Sequence, residues 1–279
     1  MMPENYLPQR IVSLQPSITV TLRDLGLLAR LVACTKYCLD VCPELSREKC
    51  LVVEDSWTAK AEHIVAAQPD LVIASVPYQV EALVEIMKSG VSFLGLAPKS
   101  LSDVYADIAA IARITGAESG GLEIIHRMRL EISAVRQKIA NLEKPLVYCE
   151  EWGKPLILSQ RWVAELVEAA GGQFYGEPGK QISADQVQAA NPDVIIAAWC
   201  GAGDRVPLEK IVARRGWEEV KAVQQGRVYC INDEFLNTPA TTLIEGLHAL
   251  ASAIHPNIFL GSMLGLRKIK GISNLKFQI

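Results

Sequence analysis

Apolar residues recur along the chain with two different spacings, and the two kinds of segment alternate. Short, continuous runs rich in β-branched residues indicate buried strands, whereas apolar positions three and four residues apart indicate helices. In the first half, residues 10–14 and 31–34 predict strands, and residues 18–28 predict a helix between them. In the second half, residues 145–149 predict a strand and residues 161–170 predict a helix. Strands that alternate with helices predict βαβ units and therefore parallel sheets.

The most informative pattern is an internal repeat. Residues 61–75 and residues 184–198 are identical at seven of fifteen positions. Each copy predicts a short helix that ends before Gln68-Pro69-Asp70 or Asn191-Pro192-Asp193, because the residue before proline disfavours the α region. A β-branched run follows and predicts a buried parallel strand. We interpret the repeat as a duplication that gives two α/β lobes, with chance similarity between two Pro-Asp turns as the alternative.

A long helical pattern lies between the two halves. Its apolar positions recur at steps of three and four: Leu122, Ile125, Met128, Ile132, Val135, Ile139 and Leu142. Such a stripe predicts one helix with a single buried face, and a helix of a coiled-coil dimer is the alternative. We therefore expect an α/β fold of two Rossmann-like lobes joined by a long backbone helix.

The predicted boundaries follow from this pattern. We expect an N-terminal lobe at residues 9–117, the backbone helix at 118–143 and a C-terminal lobe at 144–256. Residues 257–279 form a tail with apolar patches at both ends, one of them at residues 272–279. We expect the tail to pack against a lobe, since its basic cluster is small for docking on a membrane surface or a partner.

Composition and charge narrow the range of functions. The chain has 279 residues, of which 50% are hydrophobic and 21% charged, and its net charge is −3. Nucleic-acid binders concentrate basic charge, so we expect no nucleic-acid partner. No run reaches the roughly 18 apolar residues of a membrane span. The N-terminus lacks the basic and apolar regions of a secretory signal, so we expect a cytoplasmic protein, or a periplasmic or cell-surface one if an export signal has been removed.

Several segments resemble one known family. Residues 10–17 resemble the first strand and turn of class III substrate-binding proteins of ABC importers, which include vitamin B12, ferric siderophore and haem binders. Both copies of the repeat are similar to signature segments of that family's two lobes. Ser56-Trp57 and the run from Trp217 to Tyr229 look most like the vitamin B12-binding branch. The resemblance covers about residues 9–255 and implies two lobes that close on a ligand in the cleft between them.

The resemblance also implies a partner. In this family one surface carboxylate on each lobe meets arginines of the membrane permease, and Glu62 and Asp185 stand at the matching positions of the repeat. Acidic residues in the first turn of a helix also stabilise the helix itself, which is the alternative role for both side chains.

The ligand of a doubly wound sheet lies beyond the carboxyl ends of its strands, and that rule selects the loops after the predicted strands. We expect nine residues of these loops to contact the ligand: Tyr37, Cys38, Trp57, Glu151, Trp152, Trp199, Cys200, Phe235 and Asn237. The tryptophans suit a planar ring system, although each could equally cover local core. The expected ligand is cobalamin or a related metal chelate, and no resident cofactor is required.

The seven cysteines raise a second possibility. Their odd number and irregular spacing are more typical of a reducing compartment than of a disulfide framework. Cys34, Cys38, Cys42 and Cys50 have a spacing that metal sites tolerate, but buried free cysteines also serve as small apolar side chains. Cys38 and Cys200 fall on loops of different lobes, so both could bind the metal of a ligand.

The sequence argues against an enzyme. It contains no nucleophile elbow, no zinc-binding helix motif and no phosphate-binding loop. Glu150 and Glu151 are adjacent in an extended segment and therefore face opposite ways. The first hypothesis is thus the substrate-binding protein of an ABC importer. The alternative is a cytoplasmic carrier or sensor on the same scaffold that uses Cys38 and Cys200 as metal ligands.

Overall fold

The strands of the chain form two separate sheets in a computed structural model that describes residues 7–45, 50–261 and 263–270. The described residues divide into two compact units. The first unit comprises the described residues up to Arg127 with Pro239–Thr241, and the second comprises Met128–Thr238 with the described residues from Thr242 onward. Helix α6, Glu118–Ile139, contributes residues to both units and contains six of the seven positions of the predicted apolar stripe. It ends before the predicted boundary at residue 143, so Leu142 lies beyond it, and Leu122 is 60% exposed.

The first unit has a five-stranded parallel sheet. Its strands are β1 (Ile11–Ser13), β2 (Leu31–Thr35), β3 (Leu51–Val53), β4 (Leu71–Ser75) and β5 (Ser92–Leu96). They are ordered β3-β2-β1-β4-β5, and every neighbouring pair is parallel. Successive residues of β1 and β4 enter two different apolar clusters. Both faces of this sheet are therefore buried, which explains why its central strands are apolar without alternation.

Helices cover this sheet. They are α1 (Pro16–Asp24), α2 (Lys36–Val41), α3 (Ala61–Ala66), α4 (Val80–Lys88) and α5 (Leu101–Ile114), with a 3-10 turn at Leu28–Arg30. The helix predicted for residues 18–28 thus ends earlier, at Asp24, and the 3-10 turn follows after three intervening residues. Gly26 has a positive φ of 74°, which L side chains rarely adopt, so it allows the chain to leave the helix at that point.

The second unit has a mixed sheet. Its strands are β6 (Leu146–Gly153), β7 (Leu156–Leu158), β8 (Gln173–Phe174), β9 (Val194–Ala197), β10 (Val228–Ile231) and β11 (Leu266–Lys268). The order is β11-β10-β9-β6-β7, and β8 pairs with β6. Strands β6, β8, β9 and β10 run parallel to one another, while β7 and β11 pair antiparallel with β6 and β10 at the two edges.

The helices of the second unit follow the same alternation. They are α7 (Arg161–Ala169), α8 (Ala184–Ala190), α9 (Leu208–Arg215), α10 (Lys221–Gln224), α11 (Glu234–Asn237) and α12 (Leu243–Ile254). Strand β11 comes from the predicted tail, so that part of the tail extends the second sheet. The apolar patch at residues 272–279 lies outside the described residues.

The internal repeat has a common backbone geometry in its two copies. Gln68 and Asn191 both adopt a left-handed conformation, with φ of 48° and 49°. Gln68 follows the end of α3 and Asn191 follows the end of α8. Each precedes a proline, which cannot continue a helix. The two copies then enter β4 and β9 in the same way. The prediction of two helix–turn–strand units is confirmed, since each copy has its helix, its turn and its strand.

The aspartate after each proline ties the repeat to the neighbouring strand. Asp70 accepts hydrogen bonds from the backbone N–H groups of Gln9 and Arg10, at 2.7 and 3.0 Å, just before β1. Asp193 accepts one from the N–H of Leu146 at 2.8 Å, at the start of β6. In each copy the carboxylate satisfies donors at a strand end that would otherwise lack a partner.

We expect Asp70→Ala and Asp193→Ala each to lower the free energy of unfolding by about 1–2 kcal/mol, because each leaves backbone N–H groups without an acceptor. Denaturant unfolding of the purified variants measures this. Asp204→Ala is a suitable control, since this exposed loop residue should change stability by less than about 0.5 kcal/mol. Losses no larger than that of the control would show that the two aspartates do not anchor the strands.

Candidate ligand-binding site

A buried carboxylate lies in the middle of β6. The side chain of Glu150 is only 1% exposed, and Arg215, the last residue of α9, donates to its two oxygens at 3.1 and 2.8 Å. Trp199 Nε1 donates to Oε1 at 2.9 Å, and the hydroxyl of Tyr148 donates to Oε2. These donors replace the water that the carboxylate loses on burial, which is the condition for burying a charge.

Tyr148 remains a donor in this network. Burial raises the pKa of its hydroxyl well above the ordinary value, and the neighbouring Glu150 carboxylate raises it further. The ring of Tyr148 also meets Trp217 edge to face, with centroids 5.6 Å apart. The guanidinium of Arg215 lies 4.7 Å from the centroid of the same Trp217 ring, a cation–π distance. Aromatic rings therefore hold both polar partners of Glu150 in place.

The network fixes the orientation of Trp199. Its indole lies against Gly153 at the end of β6, where an added Cβ would collide with the ring. Arg215 Nη2 also donates to the carbonyl oxygen of Gly153 at 3.2 Å. The absence of a side chain at Gly153 thus allows the indole to approach the backbone, while Glu150 holds its N–H end.

Trp199 forms one wall of a pocket of about 730 Å³. Its apolar lining includes Trp152, Leu156, Trp199, Pro207 and Ile211, and its basic lining consists of Lys154, Lys210, Arg214 and Arg215. The pocket lies between the β6–β7 turn, the loop after β9, and α9. A volume of this size is within the range of small-molecule sites.

The loop after β9 is held by one carboxylate. Asp233 accepts hydrogen bonds from the backbone N–H groups of Gly201 and Gly203, at 2.7 and 2.8 Å. Both glycines have positive φ, 77° and 60°, and nothing lies within 4 Å of an added Cβ at either. They are therefore needed for their backbone conformation rather than for space. Asp233 fixes this loop and with it the position of Cys200.

Asn237 and Cys200 lie together at the carboxyl end of β9. Asn237 Nδ2 donates to the carbonyl of Ala198 at 2.7 Å and lies 3.3 Å from Cys200 Sγ. Its Oδ1 is buried and has no partner among the described residues. Burial, followed by the carboxylates of Glu151 and Asp233, raises the pKa of the Cys200 thiol to about 12.

Glu151 has a different environment from Glu150. Burial raises its pKa to about 7, although Gln160 Nε2 donates to it at 2.6 Å and opposes the shift. The two adjacent glutamates have different partners, as expected for neighbours in a strand. Glu150 is an ion-paired structural group, while Glu151 is a carboxyl that titrates near neutral pH.

The first unit presents two exposed aromatic side chains just beyond the ends of β2 and β3. Tyr37 is 43% exposed at the start of α2, and Lys36 Nζ lies 4.8 Å from its ring centroid. Trp57 lies in the loop after β3 and is 47% exposed, and its backbone N–H donates to the carboxylate of Asp55. By contrast, Trp162 and Trp217 are buried and donate to backbone carbonyls. The three tryptophans predicted on loops are thus more exposed than the two outside them.

Two predicted contacts need correction. Cys38 is fully buried in the core of the first unit, beside Ser13 and Thr35, because α2 directs it towards the sheet. Burial raises the pKa of its thiol well above the ordinary value. Cys38 is therefore available neither to a ligand nor to a metal. Phe235 is also buried and packs against Gly265, so it supports the second unit from inside.

The predicted metal pair fails with Cys38. Among the described residues, no group of three or more His, Cys, Asp or Glu side chains is arranged to hold a metal ion. The thiols of Cys34, Cys42 and Cys50 are buried as well. In the first unit, these cysteines pack in the core as small apolar side chains do.

Arg215, Lys210 and Arg214, the cations of the site, were not predicted from the sequence. Glu150 and Arg215 lie 65 residues apart and meet only in the fold. A glutamate within a strand of buried residues is nevertheless a signal, because it requires a cation. The spacing of Lys210 and Arg214 on α9 was a second signal, since residues four apart share one helix face.

The two α/β units, with ligand-sized space beyond the strand ends of the second, define the class III periplasmic-binding-protein fold. The sequence model of the family described as periplasmic binding protein matches residues 11–235. The chain belongs to this family, whose members are binding proteins rather than enzymes.

Several curated relatives cover nearly the whole chain. The uncharacterized ABC transporter substrate-binding lipoprotein YvrC of Bacillus subtilis is 26% identical over 269 residues, which cover 90% of this chain and 82% of YvrC. The vitamin B12-binding protein of Vibrio cholerae is 25% identical over 265 residues, which cover 90% of this chain and 91% of that protein.

Solved structures share the fold. A periplasmic heme-binding protein from Pseudomonas aeruginosa superposes with a TM-score of 0.82 at 19% identity, and the match covers 95% of this chain and 99% of that one. The comparisons do not support the expectation of a cytoplasmic carrier that uses cysteines. No helix among the described residues is long and apolar enough to cross a membrane.

The ion pair of Glu150 and Arg215 should be strongly coupled. We expect Glu150→Met and Arg215→Met each to lower the free energy of unfolding by about 3–5 kcal/mol, because each leaves a buried charge without its partner. The double variant should cost less than the sum of the two, by at least about 1 kcal/mol.

A double-mutant cycle in denaturant measures this coupling. Arg127→Met with Glu123→Met is the control cycle, since both side chains of this pair are 64% exposed and should couple by less than about 1 kcal/mol. Additive effects of Glu150→Met and Arg215→Met would refute the pairing.

Proposed function

We propose that this protein is the substrate-binding protein of an ABC importer and that it captures cobalamin or a related metal chelate. The observation that carries the proposal is the pair Trp152 and Trp199, two indoles that line one ligand-sized pocket at the strand ends of the second unit. Family membership supports the binding role. The relatives named as vitamin B12-binding and heme-binding proteins support a planar, metal-bearing ligand.

The physical basis of recognition is stacking on a preorganised surface. An indole offers a large flat face and loses little side-chain entropy when it binds. Trp199 loses still less, because Glu150 and Gly153 already fix its orientation. Trp152 is 44% exposed, and its N–H donates to the carbonyl of Lys154. Ligand contacts from Glu151, Cys200 and Asn237, and from Tyr37 and Trp57 of the first unit, remain part of the proposal.

The protein needs no resident cofactor for this role, because binding and release are its whole activity. The partner would be an ABC permease. We also propose that the protein works outside the cytoplasmic membrane, as the names of its periplasmic and lipoprotein relatives suggest. The buried cysteines do not oppose this location, since a thiol inside a packed core is protected from oxidation.

Glu62 and Asp185 are the proposed contacts with the permease. They occupy equivalent places in the repeat, in the first turns of α3 and α8, and both are exposed. The side chain of Glu62 is 75% exposed, and its carboxylate lies 3.7 Å from His63 Nε2. Exposed carboxylates on matched elements suit a partner that contacts both units with basic side chains.

Titration of the purified protein with cobalamin and, separately, with hemin tests the ligand. We expect saturable binding of at least one, and Trp152→Ala and Trp199→Ala should each weaken it about tenfold, equal to about 1.4 kcal/mol. Calorimetry measures the affinity directly. Leu260→Ala, at an 84% exposed position in the second unit, is the matched control and should leave it unchanged. If neither compound binds saturably, the proposed ligand class is wrong.

Charge reversal tests the docking contacts. With the permease in proteoliposomes, Glu62→Lys and Asp185→Lys should reduce stimulation of ATP hydrolysis about tenfold, because like charges would then meet. Ligand affinity of both variants should stay at the wild-type value. Glu81→Lys reverses an exposed first-turn acid on α4 and serves as the control. Equal stimulation by all three variants would exclude Glu62 and Asp185 as docking residues.

A further inference from the structure

We propose that the pocket of the second unit selects a flat ligand that carries an anionic group. Trp152 and Trp199 would contact the ring system, while Lys154, Lys210 and Arg214 would hold a carboxylate, sulfonate or phosphate. This inference rests on the proposed function and names the ligand class of the same pocket. Neither the family nor the names of the relatives assign these three basic residues.

The charge of the pocket lining is one-sided. Four of the residues that line it are basic, Lys154, Lys210, Arg214 and Arg215, and no acidic residue is among the described lining residues. Arg215 is already neutralised by Glu150 beneath the wall. The other three make no ion pair or hydrogen bond through their side chains to any described residue. Three uncompensated cations therefore face one cavity, on a chain whose net charge is −3.

Their placement on the fold is convergent. Lys210 and Arg214 are four residues apart on α9 and share the helix face that Ile211 and Arg215 also occupy. Lys154 lines the same pocket from a second element, the turn between β6 and β7. Two separate elements thus direct like charges at one space. Like charges repel, so an anion between them would bind better than a neutral group would.

Two simpler explanations do not account for all three residues. Basic side chains in the last turn of a helix stabilise its dipole, which applies to Arg214 but not to Lys210 or to Lys154. A solvated helix face usually mixes both signs of charge, and Glu209 on α9 is instead bonded to the N–H of Lys270. The apolar wall beside the cations lowers the local dielectric, so an anion there is attracted more strongly than at an open surface.

A matched pair of fluorescent probes tests the charge requirement. 8-Anilino-1-naphthalenesulfonate and N-phenyl-1-naphthylamine share one ring system, and only the first carries a sulfonate. We expect the sulfonate probe to bind saturably and at least about tenfold more tightly than the neutral probe. Lys210→Gln/Arg214→Gln should weaken the sulfonate probe about tenfold and leave the neutral probe unchanged. Trp199→Ala should weaken both probes and reduce energy transfer from tryptophan.

The control variant is Lys99→Gln/Arg113→Gln, which removes two exposed positive charges from the first unit. It should bind both probes like the wild type, and circular dichroism should show native folding of every variant. Equal affinities for the two probes, no binding of the sulfonate probe, or an equal loss in the control variant would overturn the inference.

The outcome is separable from that of the proposed function. If Lys210→Gln/Arg214→Gln weakens the sulfonate probe while cobalamin and hemin do not bind the wild type, the anion site stands and the metal chelate is wrong. If Trp199→Ala weakens cobalamin or hemin but the double glutamine variant binds the sulfonate probe normally, the binding function stands and the anion site is wrong.

Discussion

The buried carboxylate of Glu150 is the constraint on which the pocket depends. A charge inside a sheet is tolerated only with donors on its oxygens, and here they come from β6, from the loop after β9 and from the end of α9. These same elements line the pocket. Satisfying one charge therefore fixes three pieces of chain relative to one another, and the network gives the second unit one arrangement of its binding wall.

This arrangement separates two kinds of cation. Arg215 is buried, forms an ion pair with Glu150 and contacts the ring of Trp217, so its charge stabilises the fold and is not available to a ligand. Lys210 and Arg214 lie on the same helix but remain exposed beside the pocket. Because Arg215 anchors α9, the two exposed side chains gain a rigid base. A binding protein gains affinity from such preorganisation, since less freedom is lost when the ligand arrives.

The sequence predicted the fold better than the site. Two helix–turn–strand units could be read from the repeat, because proline after Gln68 and Asn191 stops a helix in any context and a β-branched run follows each. The loop with Trp199 followed from the rule on strand ends, whereas Trp152 lies within β6, which runs to Gly153 and is longer than the strand predicted at residues 145–149. Periodicity does not say which face of a short helix meets the sheet, so Cys38 was misplaced. Nor does it reveal that Arg215 meets Glu150, a contact made only by tertiary packing.

Aromatic and charged residues of the proposed site would have different roles in binding. In the proposed site, stacking on Trp152 and Trp199 would accept many flat ligands, because every ring system has a flat face. Selection among these ligands would need a second property, and the charge of the ligand is the property to which Lys154, Lys210 and Arg214 would respond. Glu151, whose pKa is raised to about 7 by burial, adds a negative charge near Cys200 only as the pH rises through that value. The positive character of the second unit's loops is therefore greatest on the acidic side of neutrality.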